Sequence, residues 1–260
     1  MHLHSLDGSI RDKAFKTLRR WLEGKCEELE ASEYLKLWKA LFYCMWMADK
    51  PSYQQNLATR LGDIWLDMHR RSPAGGLLYA RAFWETICRE WSGIDRHRLD
   101  KYYFLVRRFY VAGLETIFLS KADRVQQGEG VGKMLLEWPL NPKRSDVPDA
   151  LRIYLLENFT AVFRTASLKT TDPLSEEDAC TILCPFIDLA AQSEKKSVLS
   201  AFEGLYKELP EEFSGSLDLT TIGNLCLSRG EVENVSVKNR QVLYAASRLF
   251  QNHQTPDPRP

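Results

Sequence analysis

The chain lacks a net charge: its 260 residues hold 35 Lys and Arg against 35 Asp and Glu. With no net field to draw phosphate from a distance, a globally polycationic nucleic-acid binder is excluded. Long apolar runs are lacking too. The most apolar stretch, Leu35–Ala48, is interrupted by Lys36 and Lys39 and is too short to span a bilayer. No positively charged and then apolar leader opens the chain, since Met1 to Ser9 holds only three large apolar residues. A soluble protein is expected.

The signatures of common chemistry are missing as well. Six cysteines (Cys26, Cys44, Cys88, Cys180, Cys184, Cys226) form no disulfide-like framework, which fits a reduced, intracellular compartment. Cys180 and Cys184 could share a helix face, but no His or second Cys pair lies nearby, so no zinc site is expected. The histidines His2, His4, His69, His97 and His253 are dispersed. Gly128, Gly130 and Gly132 alternate without a preceding strand or a following G-K-[ST], which argues against a phosphate loop. Carboxylate pairs such as Glu27-Glu28 and Glu211-Glu212 sit where they serve helix dipoles or solubility. No enzyme, cofactor, metal or small-molecule substrate is expected.

What is present is a chain of amphipathic helices. A hydrophobic fraction of 44% and an aromatic fraction of 11% suit a buried core. Ile10, Ala14, Leu18, Trp21 and Leu22 form one stripe of a 3.6-residue period, with Arg11, Lys13, Lys16, Arg19 and Arg20 outside it. Ser32 looks like the N-cap of a helix over Glu33–Ala48 that is apolar nearly all round and belongs at the centre of the core. Pro51 opens a third helix, and Ser72-Pro73-Ala74-Gly75-Gly76 breaks the chain before a fourth. A fifth runs from near Asp95 to about Lys121. Further helical patterns fall near 149–166, 176–191, 195–208 and 237–252, with Pro185 expected to kink or divide the second. Residues 217–228 are ambiguous between helix and strand. Short connections favour antiparallel neighbours, and no fixed-period repeat appears. The expectation is an all-α, irregular HEAT/armadillo-like α-solenoid of stacked helical hairpins. It forms one α-helical domain over 1–254 with a loop-rich joint near 126–148, followed by a frayed tail at 255–260.

The neutral total conceals an asymmetry. Residues 1–110 hold 19 Lys and Arg against 14 Asp and Glu, and residues 176–260 hold 8 against 13. The densest basic and aromatic mixture is 89–108, where Arg96, Arg98, Lys101, Arg107 and Arg108 are candidate contacts to RNA or an acidic partner. Arg19 and Arg20 join them from the first helix. Glu203, Glu208, Glu211 and Glu212 are candidate docks for basic segments. The plainer reading is solvated helix faces, with Asp95 capping a helix, Asp100 paired with Arg96, and Tyr102 and Tyr103 packed between layers.

Two blocks add a resemblance. Leu37-Trp38-Lys39-Ala40-Leu41-Phe42-Tyr43-Cys44-Met45-Trp46-Met47-Ala48-Asp49-Lys50-Pro51 resembles a block of the ribosomal RNA-processing protein 1 family. Phe83–Trp91 with Gly93–Tyr103 resembles its second block, and Arg11-Asp12-Lys13-Ala14 with Leu18, Trp21 and Leu22 its opening helix. The resemblance implies a nucleolar, non-catalytic α-solenoid that assists ribosomal RNA processing and large (60S) subunit assembly. Its implied partners are other assembly factors, including Brix-domain and β-propeller proteins, and precursor rRNA, with no membrane. A purely protein-binding adaptor is the alternative. Two departures stand out: His97 replaces a large apolar residue, and the long charged tail common in the family is not in this sequence. No dense Lys/Arg cluster reads as an import signal, which leaves the route of import open, import with a partner among the routes.

Overall fold

The computed structural model describes residues 8–170, 172–213 and 219–252. Among them every regular element is helical, and two compact units separate at Thr116/Ile117. The expected tail at 255–260 lies outside the described residues.

The first unit contains α1 (Gly8–Lys25), α2 (Ala31–Trp46), α3 (Pro51–Arg71), α4 (Pro73–Glu90) and most of α5 (Leu99–Leu119). Helix α2 starts before the expected Ser32 cap because the Glu30 N–H donates to the Glu33 carboxylate (2.9 Å), a reach-back that satisfies a first-turn donor. Ser72 alone joins α3 to α4. Its N–H donates to the Met68 carbonyl (2.7 Å) and its hydroxyl accepts from the Gly75 N–H (3.3 Å), so the expected break is a one-residue corner.

A spatial repeat appears where the sequence has none. Tyr34 meets Tyr79 and Trp38 meets Phe83, and in both pairs the numbers differ by 45, so α2 and α4 run parallel. Asp12 on α1 pairs with Arg60 on α3, 48 residues on, and Arg19 with Asp67 continues that register. Between these parallel pairs, α4 returns along α3, with the Tyr79 hydroxyl donating to the Leu61 carbonyl (3.2 Å). Alternate helices stacked in this way are what helical-repeat folds are made of. Phe109 of α5 locks the layers. Its ring lies 3.9 Å from Phe83, 5.1 Å from Trp38 and 5.8 Å from Trp65, centroid to centroid, and all four rings are buried.

The second unit contains α6 (Arg124–Glu137), α7 (Asp149–Glu157), α8 (Phe159–Ser167), α9 (Glu176–Gln192), α10 (Lys196–Glu212), α11 (Thr220–Glu231) and α12 (Val237–Asn252). Its register is similar: Thr160 with Glu208 and Arg164 with Glu212 differ by 48, while Glu176 with Thr221 and Asp188 with Arg229 differ by 45 and 41. Four expectations change. The first half of the stretch read as a loop-rich joint is helix α6. Its glycines serve packing, because a Cβ at Gly128 would lie 2.6 Å from Thr181 and one at Gly132 would lie 2.9 Å from the Pro185 ring of α9. Pro185 does not divide α9; its ring fills the space that Gly132 leaves. The pattern over 149–166 breaks into α7 and α8 at Asn158, and the ambiguous 217–228 stretch becomes α11 from Thr220 onward.

Buried polar side chains close the irregular parts. Arg152 donates to the carbonyls of Val147 (2.9 Å) and Arg144 (2.8 Å) and so holds the turns after α6. Asn239 of α12 donates to the carbonyls of Ala190 (2.8 Å) and Ser193 (2.9 Å), which finishes the carbonyl end of α9.

Two outcomes follow from this packing. Gly132→Ala forces a methyl against the Pro185 ring and should lower stability by about 1–3 kcal/mol. Gly204→Ala, in α10 with nothing within 4 Å of the new methyl, should raise it by up to about 1 kcal/mol. Thermal unfolding of both variants checks the opposite signs. For pH, burial first and Arg70 second hold the pKa of the buried His69 below its ordinary 6.5. The unfolded chain then takes up a proton that the folded chain refuses. Stability from this group is complete above pH 6.5 and is lost as pH falls through the depressed value. Urea midpoints should drop from pH 7.5 to 5, and His69→Gln should flatten part of that slope.

Candidate nucleic-acid and partner interface

The two sequence blocks meet in the first unit. Lys101 is buried, and its ammonium donates to the carbonyls of Trp46 (2.7 Å) and Ala48 (2.8 Å), the unsatisfied end of α2. Burial, and Arg98 after it, lowers its pKa. The next residue, Tyr102, stacks on Phe42 (4.7 Å) and donates its hydroxyl to the Phe42 carbonyl (2.9 Å). Arg98 lies over the Trp46 ring (4.6 Å) and pairs with Asp95, holding that carboxyl below the usual range. Asp95 also accepts from the His97 N–H (3.0 Å), so it closes a turn ahead of α5 and does not cap the helix itself. Around this clamp Tyr43, Met47, Arg96 and His97 stay exposed. The Arg96 guanidinium donates to the ring of His97 (3.4 Å), and not to Asp100.

The other basic candidates divide sharply. Arg108 bridges Asp63 (2.7 Å) and Glu115 (3.0 Å), and the Glu115 side chain is only 3% exposed. Arg107, one position earlier, points outward and is exposed. Arg19 is paired with Glu23 and Asp67, while Arg20 is exposed. Of seven basic candidates, Arg20, Arg96 and Arg107 therefore face solvent without an ion-pair partner among the described residues. In the second unit Glu208 accepts from Thr160 (2.8 Å) and Glu212 pairs with Arg164, so both hold α10 to α8. Glu211 is exposed and Glu203 is half-buried.

Two further features concern chemistry. Cys180 and Cys184 do share a face of α9 and line a cavity of about 330 Å³ with Gly132, Pro185 and Leu225. Burial raises both thiols, Cys180 to about 11, which leaves them in the unreactive protonated form at neutral pH. Among the described residues no group of three or more His, Cys, Asp or Glu side chains is placed to hold a metal ion, and no helix is long and apolar enough to cross a membrane. Periodicity puts Trp21 and Ile10 on the apolar stripe of α1. They are 46% and 44% exposed, because the stripe spans a wider arc than α2 and α3 cover. That excess width was the available signal.

The family model described as the nucleolar protein Nop52 matches residues 1–235. The chain belongs to the Nop52 family. It is similar to ribosomal RNA processing protein 1 homolog A of Mus musculus, at 32% identity over 220 residues, covering 80% of this chain and 43% of that protein. Homolog B of Homo sapiens is 29% identical over 270 residues, covering 98% and 34%. The Caenorhabditis elegans homolog is 24% identical over 262 residues, covering 93% and 64%. The chain thus spans less than half the length of these mammalian relatives. In this Nop52-family chain, Lys101, Tyr102 and Arg98 of the second block clamp the α2 helix of the first.

Neighbouring arginines should behave in opposite ways. Arg108→Met strands the buried Glu115 carboxylate and should cost about 3 kcal/mol or more. Arg107→Gln should stay within about 0.5 kcal/mol of the parent. Urea unfolding of the two variants side by side checks the division between internal and outward-facing cations.

Proposed function

We propose that this chain is a helical scaffold in ribosomal RNA processing and ribosome biogenesis. It acts in the nucleolus during assembly of the large (60S) subunit, as a non-catalytic bridge between assembly factors and precursor rRNA. The observation that carries the reading is the Nop52-family match over residues 1–235, with relatives named as ribosomal RNA processing proteins. The form of the chain supports it. Stacked helices present long exposed faces, and the first unit holds 19 Lys and Arg against 15 Asp and Glu while the second holds 16 against 20. Brix-domain and β-propeller assembly factors are the protein partners that the family resemblance implies.

One observation favours a second reading, an adaptor that binds protein alone. Of the seven basic candidates, Lys101, Arg108, Arg98 and Arg19 are engaged within the fold, which leaves three, Arg20, Arg96 and Arg107, for phosphate. Phosphate contacts supply most of the affinity for nucleic acid, so each engaged candidate subtracts from RNA binding by this set.

Depletion of the protein should cause precursors of large-subunit rRNA to accumulate, and unaltered processing would contradict the scaffold role. Replacing Arg96 and Arg107 with Glu should weaken RNA crosslinks while recovery of bound assembly factors persists. Crosslinking at the parental level in that variant assigns RNA contact to another surface, and a parent that crosslinks no RNA selects the protein-only adaptor.

A further inference from the structure

The open flank of α1 carries a feature that neither the family match nor the proposed scaffold role assigns. Ile10, Ala14, Leu18 and Trp21 face Leu37 of α2 across a groove of about 700 Å³. Its walls are almost wholly aliphatic apart from the half-exposed indole. Ile10 to Trp21 spans about three helical turns, roughly 16 Å.

Charge on α1 is segregated around this groove. The helix's acidic residues within the described chain, Asp12 and Glu23, lie toward α3, where Asp12 pairs with Arg60 and Glu23 with Arg19. The groove flank is left purely basic: Lys13 forms part of the wall, and Arg20 is exposed beside it. On the α2 side, Leu37 lines the groove, and the carboxylate of Glu33, one turn earlier, is held at the start of that helix by the Glu30 N–H (2.9 Å). Large exposed apolar side chains next to an unpaired basic row form a surface with two complementary requirements, apolar filling and negative charge.

From this we propose that the α1–α2 groove receives an amphipathic helix of a partner protein. That helix is about three turns long, with aliphatic anchors at i, i+3 or i+4 and i+7 and acidic residues on the flank facing Lys13 and Arg20. The aliphatic lining separates this occupant from single-stranded RNA, which stacks its bases on several aromatic rings, whereas the groove offers one. Trp21, at one end of the groove, is its largest apolar contact, since an indole that an interface encloses contributes far more than its smaller neighbours.

The test uses the full chain and a set of fluorescein-labelled 14-residue designed helices with Leu at the anchor positions and Glu on one flank. Matched helices carry Lys in place of Glu, and labelled U12 RNA is run in parallel. Anisotropy titrations should show saturable binding of acidic helices, weakening with added salt, and none of the lysine helices. Trp21→Ala should weaken binding about thirtyfold. The Lys13→Glu, Arg20→Glu double variant should weaken it about tenfold and remove the salt dependence. Circular dichroism and sedimentation of each variant establish that it folds and that the parent does not pair through this face. Any of four results overturns the proposal: no acidic helix binds saturably, binding is equal in the parent and Trp21→Ala, U12 alone depends on Trp21, or the parent forms a dimer that Trp21→Ala dissolves.

Discussion

One ammonium group sets much of the first unit. The carbonyl end of α2 has no helical partner of its own, and Lys101 supplies one from 55 residues away, reaching the Trp46 carbonyl from the start of α5. That contact fixes where α5 begins, and Tyr102 beside it then stacks on Phe42. Farther along the same helix, Phe109 enters the cluster of Trp38, Phe83 and Trp65. The second unit repeats the device with a neutral group, the Asn239 amide on the end of α9. In both, a side chain from a later helix terminates an earlier one, so helix length and helix packing are fixed by the same bond.

How much of this was legible in the sequence depends on the range of the interaction involved. Periodicity is local, and it identified α2, α3, α10 and α12 to within a few residues as well as the all-α class. The failures share a cause. Gly128 and Gly132 read as punctuation because glycine is a poor helix former; they are helical because α9 lies so close that no Cβ fits. Pro185 reads as a breaker, yet its ring has a place prepared for it on α6. For the candidate site, the sequence found the segment and misjudged its members. Charge and aromatic content marked 89–108, but nothing local separates Lys101 and Arg108, turned inward, from Arg96 and Arg107, turned out.

The consequence for recognition is that counting cations overstates an electrostatic surface. In this chain several of the basic side chains are counter-charges or hydrogen-bond donors for the fold, and the acidic row on α10 is likewise half consumed by Thr160 and Arg164 on α8. The surface left over is sparse and uneven, with aromatic and aliphatic groups such as Tyr43, Met47 and Trp21 beside single unpaired cations. Such a composition suits contacts that combine apolar burial with a few charges, and it differs from the dense basic tracks that coat nucleic acid.

The near-constant spacing of partners has a bearing on how the chain matures. The interactions described for α1 to α4, from Asp12 with Arg60 to Trp38 with Phe109, are complete by Glu115. A ribosome that has made and released these residues has delivered everything those contacts require, while most of the second unit is still unsynthesised or inside the ribosome. Lys101 is near the end of that segment, so the Trp46 carbonyl of the emerging α2 waits for its donor until Lys101 arrives. The order of synthesis is thus written into the stack: beyond its immediate neighbour in sequence, a helix such as α1, α2, α8 or α9 waits for a partner about 45–55 residues behind it on the nascent chain.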